Sequence, residues 1–400
     1  MQKTMATWFF MRPGFTTFRV EPEKHPQFLF GSRERRQRDY LLGEIEGACY
    51  GKDGFKSVIF GDYGRGKTHM CHNLEFELKR QNLSVSTVYI KCSAYVSKEP
   101  FQSLFREMIT RHRTEEVKRV ATEYVRRSKE GGAPPIRDIV QSEDIALVIN
   151  KGLTAVNDEA VRNCMRWLGG EPKVPMQLIS TALKPQLTDS RDFGAVLRGL
   201  SHMFATVDDK VVLYLVDEAE RFENVTNVDT FAGWLASLRE LTEIPGVGLM
   251  FFVGALTRNN LPTLLVQEEV MRRIGVANYV EFQNPSREEL RDFLLELFAT
   301  FVRKGEVPKQ HQGVVTDEAR DSAVPDELQQ MTGGAANRLE TYPFEPDAFD
   351  EFIEQVATGH MSSKPSEVLI RLLKAAQRAM RKDQRTIDRA IVNEVNSEGL

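Results

Sequence analysis

The stretch Ser57-Val58-Ile59-Phe60-Gly61-Asp62-Tyr63-Gly64-Arg65-Gly66-Lys67-Thr68-His69 decides how this chain is read. The first four residues, SVIF, predict a short apolar strand. The next eight, Gly61 to Thr68, match G-x-x-x-x-G-K-[S/T] at every fixed position. The residues from about Lys67 to Arg80 carry a helical pattern, so the glycines open a helix N-terminus. That end of a helix collects unpaired N–H groups and the positive pole of the dipole, which suits an anion. Each fixed residue has a chemical reason. Gly61 lets the chain leave the strand sharply, and Gly66 lets backbone N–H groups approach phosphate oxygens. Lys67 is expected to reach the β- and γ-phosphates of ATP, and Thr68 to hold Mg2+ through its hydroxyl. The expected nucleotide-binding residues are Gly61, Asp62, Tyr63, Gly64, Arg65, Gly66, Lys67, Thr68 and His69.

A second strand is expected at about Ser86 to Lys91, which makes strand, glycine loop, helix, strand the start of a parallel α/β sheet. Further on, residues 211–220 read VVLYLVDEAE. The continuous apolar run predicts a strand buried on both faces. It delivers Asp217 and Glu218 to the C-terminal edge of the sheet, where open α/β sheets bind ligands. Asp217 is expected to hold the magnesium, and Glu218 to orient and polarise the attacking water. Glu220 and Glu223 are read as solvated. The next apolar run, residues 247–254, ends in Thr257-Arg258-Asn259-Asn260. Thr257 and Asn260 are both candidates to touch the γ-phosphate or the water. Residues 268–275, EEVMRRIG, precede a short fifth strand at residues 278–282. Arg273, favoured over Arg272, is expected to reach a neighbouring subunit's nucleotide as an arginine finger, which predicts a homo-oligomer.

Around this core the rest of the chain falls into place. Its 400 residues, 41% of them hydrophobic, allow two or three domains, and the net charge of −4 gives no whole-chain case for nucleic acid. The expected division is an irregular N-terminal arm at 1–30, a core at 31–98 and 191–284, a helical insertion at 99–190 and a helical lid at 285–400. Asn284-Pro285-Ser286 reads as the cap of the first lid helix, with Glu288 and Glu289 in its first turn. Two basic sets could track double-stranded DNA: Arg111, Arg113, Lys118, Arg119, Arg126, Arg127 and Lys129 in the insertion, and Arg371, Lys374, Arg378, Arg381 and Lys382 near the C-terminus. Glu115, Glu116 and Glu123 interrupt the first set. The four cysteines, Cys49, Cys71, Cys92 and Cys164, lie in no CxxC pair and read as free thiols. No apolar stretch approaches the ~20 residues that cross a bilayer, so a cytoplasmic protein with no membrane partner is expected.

These residues together resemble the AAA+ superfamily, and within it the initiator-like clade of origin-recognition and loader ATPases. FGSRERRQRDYLLGEI at 30–45 looks like that clade's segment over the adenine base, and MRRIGVANYVEFQNPSREEL at 271–290 like its passage from arginine finger to lid. The resemblance covers about residues 28–395. It implies an α/β fold: an AAA+ P-loop core with a five-stranded parallel sheet, a helical insertion between strands 2 and 3, and a C-terminal helical lid. It also implies hydrolysis of ATP to ADP and phosphate. FGDYGRGKTHM, MRWLGGEP at 165–172 and LYLVDEAERF at 213–222 are similar, more closely, to the ATP-binding proteins of BREX-type phage-defence systems. That likeness implies a role in antiviral defence, with other proteins of the defence operon as partners. A nucleotide-gated scaffold with slow turnover and an initiator or transposition-type regulator assembling on DNA are the alternatives. One departure is visible. Lids of this type carry a sensor arginine in a G-x-P-R turn, whereas this chain reads Ser363-Lys364-Pro365-Ser366-Glu367. Lys364 or Arg371 is the expected substitute, with Arg338 a second candidate.

Overall fold

The computed structural model describes residues 4–92, 100–177, 179–180, 182–224, 228–312, 315–316, 323–358 and 364–397. The chain forms two compact units. One comprises residues 41–62 and 78–282, and the other residues 1–40, 63–77 and 283–400.

The first unit is built on five parallel strands in the order β2-β3-β4-β1-β5. These are β1 (Lys56–Gly61), β2 (Val85–Lys91), β3 (Val211–Asp217), β4 (Val247–Gly254) and β5 (Tyr279–Glu281). β3 is buried along its whole length and β4 through Val253, which is why both read as unbroken apolar runs. β2 lies at the edge and alternates instead between buried and half-buried positions. β5 is shorter than the run that announced it.

Parallel strands need long crossovers. In chain order, α1 (Ser32–Gly51) precedes β1, and α2 (Lys67–Arg80) joins β1 to β2. The β2–β3 crossover is helical: α3 (Pro100–Thr110), α4 (Thr114–Lys129), several short turns, α5 (Asp158–Leu168) and α6 (Ser190–Asp208), the last falling in the expected core rather than in the expected insertion. The expected junction at residues 98 and 99 lies outside the described residues. MRWLGGEP builds this insertion. Trp167 is fully buried and its Nε1 donates to the Lys184 carbonyl at 2.9 Å. Gly170 is left-handed (φ +71°), and a Cβ there would sit 2.7 Å from the Phe193 ring. Glu171 pairs with Arg166 at 2.8 Å. His112, between α3 and α4, is fully sequestered and shares a 3.0 Å hydrogen bond with the Tyr214 hydroxyl of β3. α7 (Val228–Glu243) joins β3 to β4, and α8 (Glu268–Ile274) precedes β5.

The second unit has its own apolar core. Its helices are α9 (Arg287–Phe301), α10 (Pro346–Ala357), α11 (Pro365–Arg381) and α12 (Arg389–Ser397), with shorter turns between them. α9 starts as its sequence predicts. Ser286 Oγ accepts from the Glu289 N–H, and the Glu289 carboxylate accepts from the Ser286 N–H. The N-terminal residues are irregular, yet they are part of this core. Phe9, Phe18 and Phe28 are buried, Phe15 stacks on Phe301 with centroids 4.3 Å apart, and Phe18 meets Phe298 edge-on at 5.8 Å. Aromatic anchors at uneven spacing leave no period to read. Among the described helices none is long and apolar enough to cross a membrane.

Candidate functional site

The C-terminal edge of the sheet is stitched together by backbone hydrogen bonds. The Phe282 N–H donates to Phe60 O at 2.7 Å, and the Ala255 N–H to Gly61 O at 3.1 Å. Gly61 is not in the left-handed region. A Cβ there would lie 2.7 Å from Phe282 O and 2.9 Å from Phe282 Cβ. Close approach of the β5 end, and not a sharp exit from the strand, is what requires this glycine.

Residues 63–68 of the phosphate loop belong to the second unit. Gly64 (φ +79°) and Gly66 (φ +87°) are left-handed, as a loop that turns its N–H groups inward needs. The space beside Gly66 is open. The Met70 N–H closes the first turn of α2 on Gly66 O at 2.8 Å. Lys67 is buried, with Nζ 5.8 Å from the centroid of the exposed Tyr63 ring, and Thr68 is half-buried. Asp62 and Arg65 are half-buried as well. His69 faces away from this role. Its Nε2 donates to the Phe28 carbonyl, and burial drops its pKa to about 4, so the ring is neutral with its proton on Nε2. The lid reaches the loop through α11. The Ser366 N–H donates to Gly64 O at 3.2 Å, and a Cβ on Gly64 would lie 3.8 Å from Lys364 Cβ. The structure therefore brings Lys364 beside the loop. Arg371 is instead buried against α12, its Nη1 3.5 Å from Asn396 Oδ1.

At the end of β3, Asp217 is almost fully buried. Its Oδ2 accepts from the Tyr89 hydroxyl at 3.1 Å, and its Oδ1 from the Glu218 N–H at 3.0 Å. Glu218 is left-handed (φ +56°), an uncommon conformation for a residue with a Cβ. Its Oε1 lies 3.1 Å from Lys91 Nζ, and its Oε2 accepts from Arg221 Nε at 3.1 Å. Glu220 is not solvated as expected: its Oε2 accepts from the Gly254 N–H at 2.7 Å. The side chain of Glu223 lies outside the described residues. Cys92 is a free thiol, pushed up to about 12 by burial and then by the charges of Asp217, Glu220 and Glu218. Lys91, Arg221 and Tyr89 carried no sequence signal of their own. The register that sets Lys91 opposite Asp217 brings in Lys91 and Tyr89, and the 3-10 turn after β3 brings in Arg221.

Thr257 and Asn260 are exposed and engage each other, Oγ1 donating to Oδ1 at 2.8 Å. Arg273 is held by Glu243, Nε to Oε1 at 2.7 Å, and by the Glu269 carbonyl at 2.9 Å. Arg272 pairs with Glu268, and its side chain is 78% exposed. Most of the basic sets are also spoken for. Arg111 pairs with Glu107, Lys118 with Asp158, Arg119 with Asp208, Arg126 and Arg127 with Glu123, and Lys382 with Glu394. Arg113, Lys129 and Arg381 are exposed. Among the described residues no three His, Cys, Asp or Glu side chains gather as a metal cage.

The five-stranded parallel sheet, the glycine loop following β1, the helical crossover between β2 and β3 and the helices that follow β5 define an α/β fold. No protein-family model matches the chain, and no curated protein matches it. Among solved structures it is similar to the ORC2 protein of Aeropyrum pernix in ADPNP and ADP complexes, at 11% identity and TM-score 0.49, over 97% of this chain and 72% of that one. It is similar to Cdc6p of Pyrobaculum aerophilum at 12% identity and TM-score 0.43, over 99% and 71%. Domain III of the Thermotoga maritima replication initiation protein DnaA matches at 9% identity and TM-score 0.41, over 95% and 98%.

Proposed function

We propose that this chain is a magnesium-dependent ATPase that hydrolyses ATP to ADP and phosphate. The observation that carries the reading is the pair of left-handed glycines, Gly64 and Gly66, directly ahead of Lys67 at the first turn of α2. A loop of that shape presents N–H groups to phosphate oxygens, and Lys67 adds a positive charge for the β- and γ-phosphates. Mg2+ prefers few protein ligands alongside phosphates and water. The carboxylate of Asp217 and the hydroxyl of Thr68, both hard oxygen donors, are the proposed protein ligands. Bound there, the ion would neutralise charge developing between the β- and γ-phosphates. Glu218 orients the attacking water. Each of its oxygens retains a lone pair beyond its ion pair, so the carboxylate can still accept from water. Thr257, Asn260 and Lys364 are the residues proposed to sense the γ-phosphate, Lys364 because α11 begins beside Gly64. Arg273, released from Glu243, is the proposed finger in a homo-oligomer.

The test is phosphate release. Lys67→Ala is expected to abolish it together with tight nucleotide binding. Glu218→Gln is expected to keep binding and to lower turnover by about 100-fold or more. Equal turnover in wild type and Glu218→Gln would overturn the role of Glu218.

A second reading, a nucleotide-gated scaffold with slow turnover, is favoured by the engagement of both Glu218 oxygens with cations. Tight ATP binding with almost no phosphate release in wild type would select it. The antiviral role and its operon partners rest on the short motifs, whose insertion residues here build the fold. Loss of phage protection in a Lys67→Ala strain would support that role. Addition of double-stranded DNA to the phosphate-release assay tests the remaining proposed partner.

A further inference from the structure

We propose that Glu220 is a positioning residue, which ties the turn carrying Glu218 to the end of β4. The proposal rests on the hydrolytic reading of Glu218. Its starting point is where the β3–β4 ladder stops. The last paired residues are Val216 and Phe251, whereas β4 continues to Gly254 beside β1. N–H groups along a strand point alternately to its two neighbours. The Ala255 N–H points to β1, bonding Gly61 O, so the Gly254 N–H points to the side β3 has already left. There β3 has turned into the 3-10 segment Ala219–Asn224. Glu220 sends its carboxylate back to that donor at 2.7 Å. A charge-assisted bond of this kind is about twice as strong as a neutral one.

The consequence concerns Glu218. Its left-handed backbone is a conformation that the surroundings must hold in place. Ala219 is fully buried behind it, and Glu220 is the next fixed point along the chain. The same strand end leads within a few residues to Thr257 and Asn260, and its Ala255 N–H fixes the first residue of the phosphate loop. Glu220 thereby sets the water-orienting turn in register with Thr257 and Asn260, which are proposed to sense the γ-phosphate. It touches no reacting atom in this scheme and acts through Glu218.

The experiment compares Glu220→Ala, which removes the acceptor, with Glu220→Gln, which keeps an oxygen at the same reach. Phosphate release, nucleotide affinity and amide hydrogen exchange at residues 250–256 are measured for both, beside wild type and Glu218→Gln. Glu220→Ala is expected to lower kcat by about tenfold or more, since small misplacement of a catalytic group is costly. KM should change by less than about twofold, because the phosphate-binding groups are untouched. Exchange at Gly254 should accelerate, and Glu220→Gln should restore most of both effects. Wild-type kcat in Glu220→Ala, or a loss that Glu220→Gln does not rescue, overturns the proposal. So does unchanged exchange at Gly254, which reads the tether whether or not the protein turns over. If Glu218→Gln hydrolyses ATP like wild type while the exchange result holds, the hydrolytic reading has failed, and the proposal with it, although the tether is real.

Discussion

Lys91 Nζ lies 3.1 Å from Glu218 Oε1, at the point where β2 ends opposite Asp217. The Lys91 side chain is 50% exposed, so this pair adds little to stability, at most about 1 kcal/mol. Its effect is on chemistry, because it competes with an attacking water for one oxygen of Glu218. Lys91→Met is therefore expected to leave the melting temperature within a few degrees and to raise kcat by about two- to fivefold, a modest change in a single hydrogen-bond acceptor. Arg221 still orients Glu218 through Oε2. Steady-state phosphate release checks this, and a fall in kcat would mean that Lys91 orients the carboxylate and does not restrain it.

Two glycines of one motif have different jobs, and their alanine variants should separate. Gly66→Ala meets open space but must hold φ near +87°. The left-handed conformation costs an alanine about 1–2 kcal/mol, drawn from a loop whose shape binds phosphate. Affinity for a non-hydrolysable ATP analogue should fall about five- to thirtyfold. Gly61→Ala drives a methyl into the Phe282 backbone, and overpacking of this kind costs about 1–3 kcal/mol. Its signature should be a lower melting temperature. Identical behaviour of the two variants in calorimetry and nucleotide titration would contradict the distinction.

That contrast shows what the sequence could carry. The motif names Gly61, but the reason for it lies some 220 residues away in Phe282. Runs such as residues 211–216 were legible because a strand buried on both faces must be apolar throughout. The helix starts at Lys67 and Arg287 were legible because caps are local. Glu220 was misread because an acid after a strand usually meets water. Its partner depends on β4 outrunning β3, a relation between strands that composition does not express. The burial of the N-terminal aromatics was hidden for the same reason, since they fill gaps in a core made by helices far along the chain.

Arg273 can serve a neighbouring subunit only by leaving Glu243, which holds its Nε at 2.7 Å. Glu243→Gln weakens that hold and should raise the part of the ATPase activity that grows with protein concentration. Arg273→Ala should abolish that part and leave nucleotide affinity in place, since an arginine finger acts on transition-state charge. If Arg272→Ala has the larger effect, the exposed neighbour is the finger. Activity proportional to protein concentration in every variant would rule out both.

Glu296 accepts hydrogen bonds from four groups of the second unit, and it is expected to make that unit acid-sensitive. Burial pushes its pKa up. Hydrogen bonds from His311, Arg35, Gln310 and the Gly31 N–H more than offset this and bring it to about 2. The folded value is below the ordinary 4.5, so the carboxylate's contribution is complete above about pH 4.5. It is lost as the pH falls from there toward 2, because the unfolded chain then binds the proton more readily. The span corresponds to roughly 3 kcal/mol. Glu296→Gln should be less stable than wild type at pH 7, where Arg35 loses its partner. It should also lose less stability on acidification, so the two curves converge toward about pH 2. Urea unfolding at half-unit steps from pH 7 to about pH 2 measures both. Parallel curves would show that this carboxylate is not the group that makes the unit acid-sensitive.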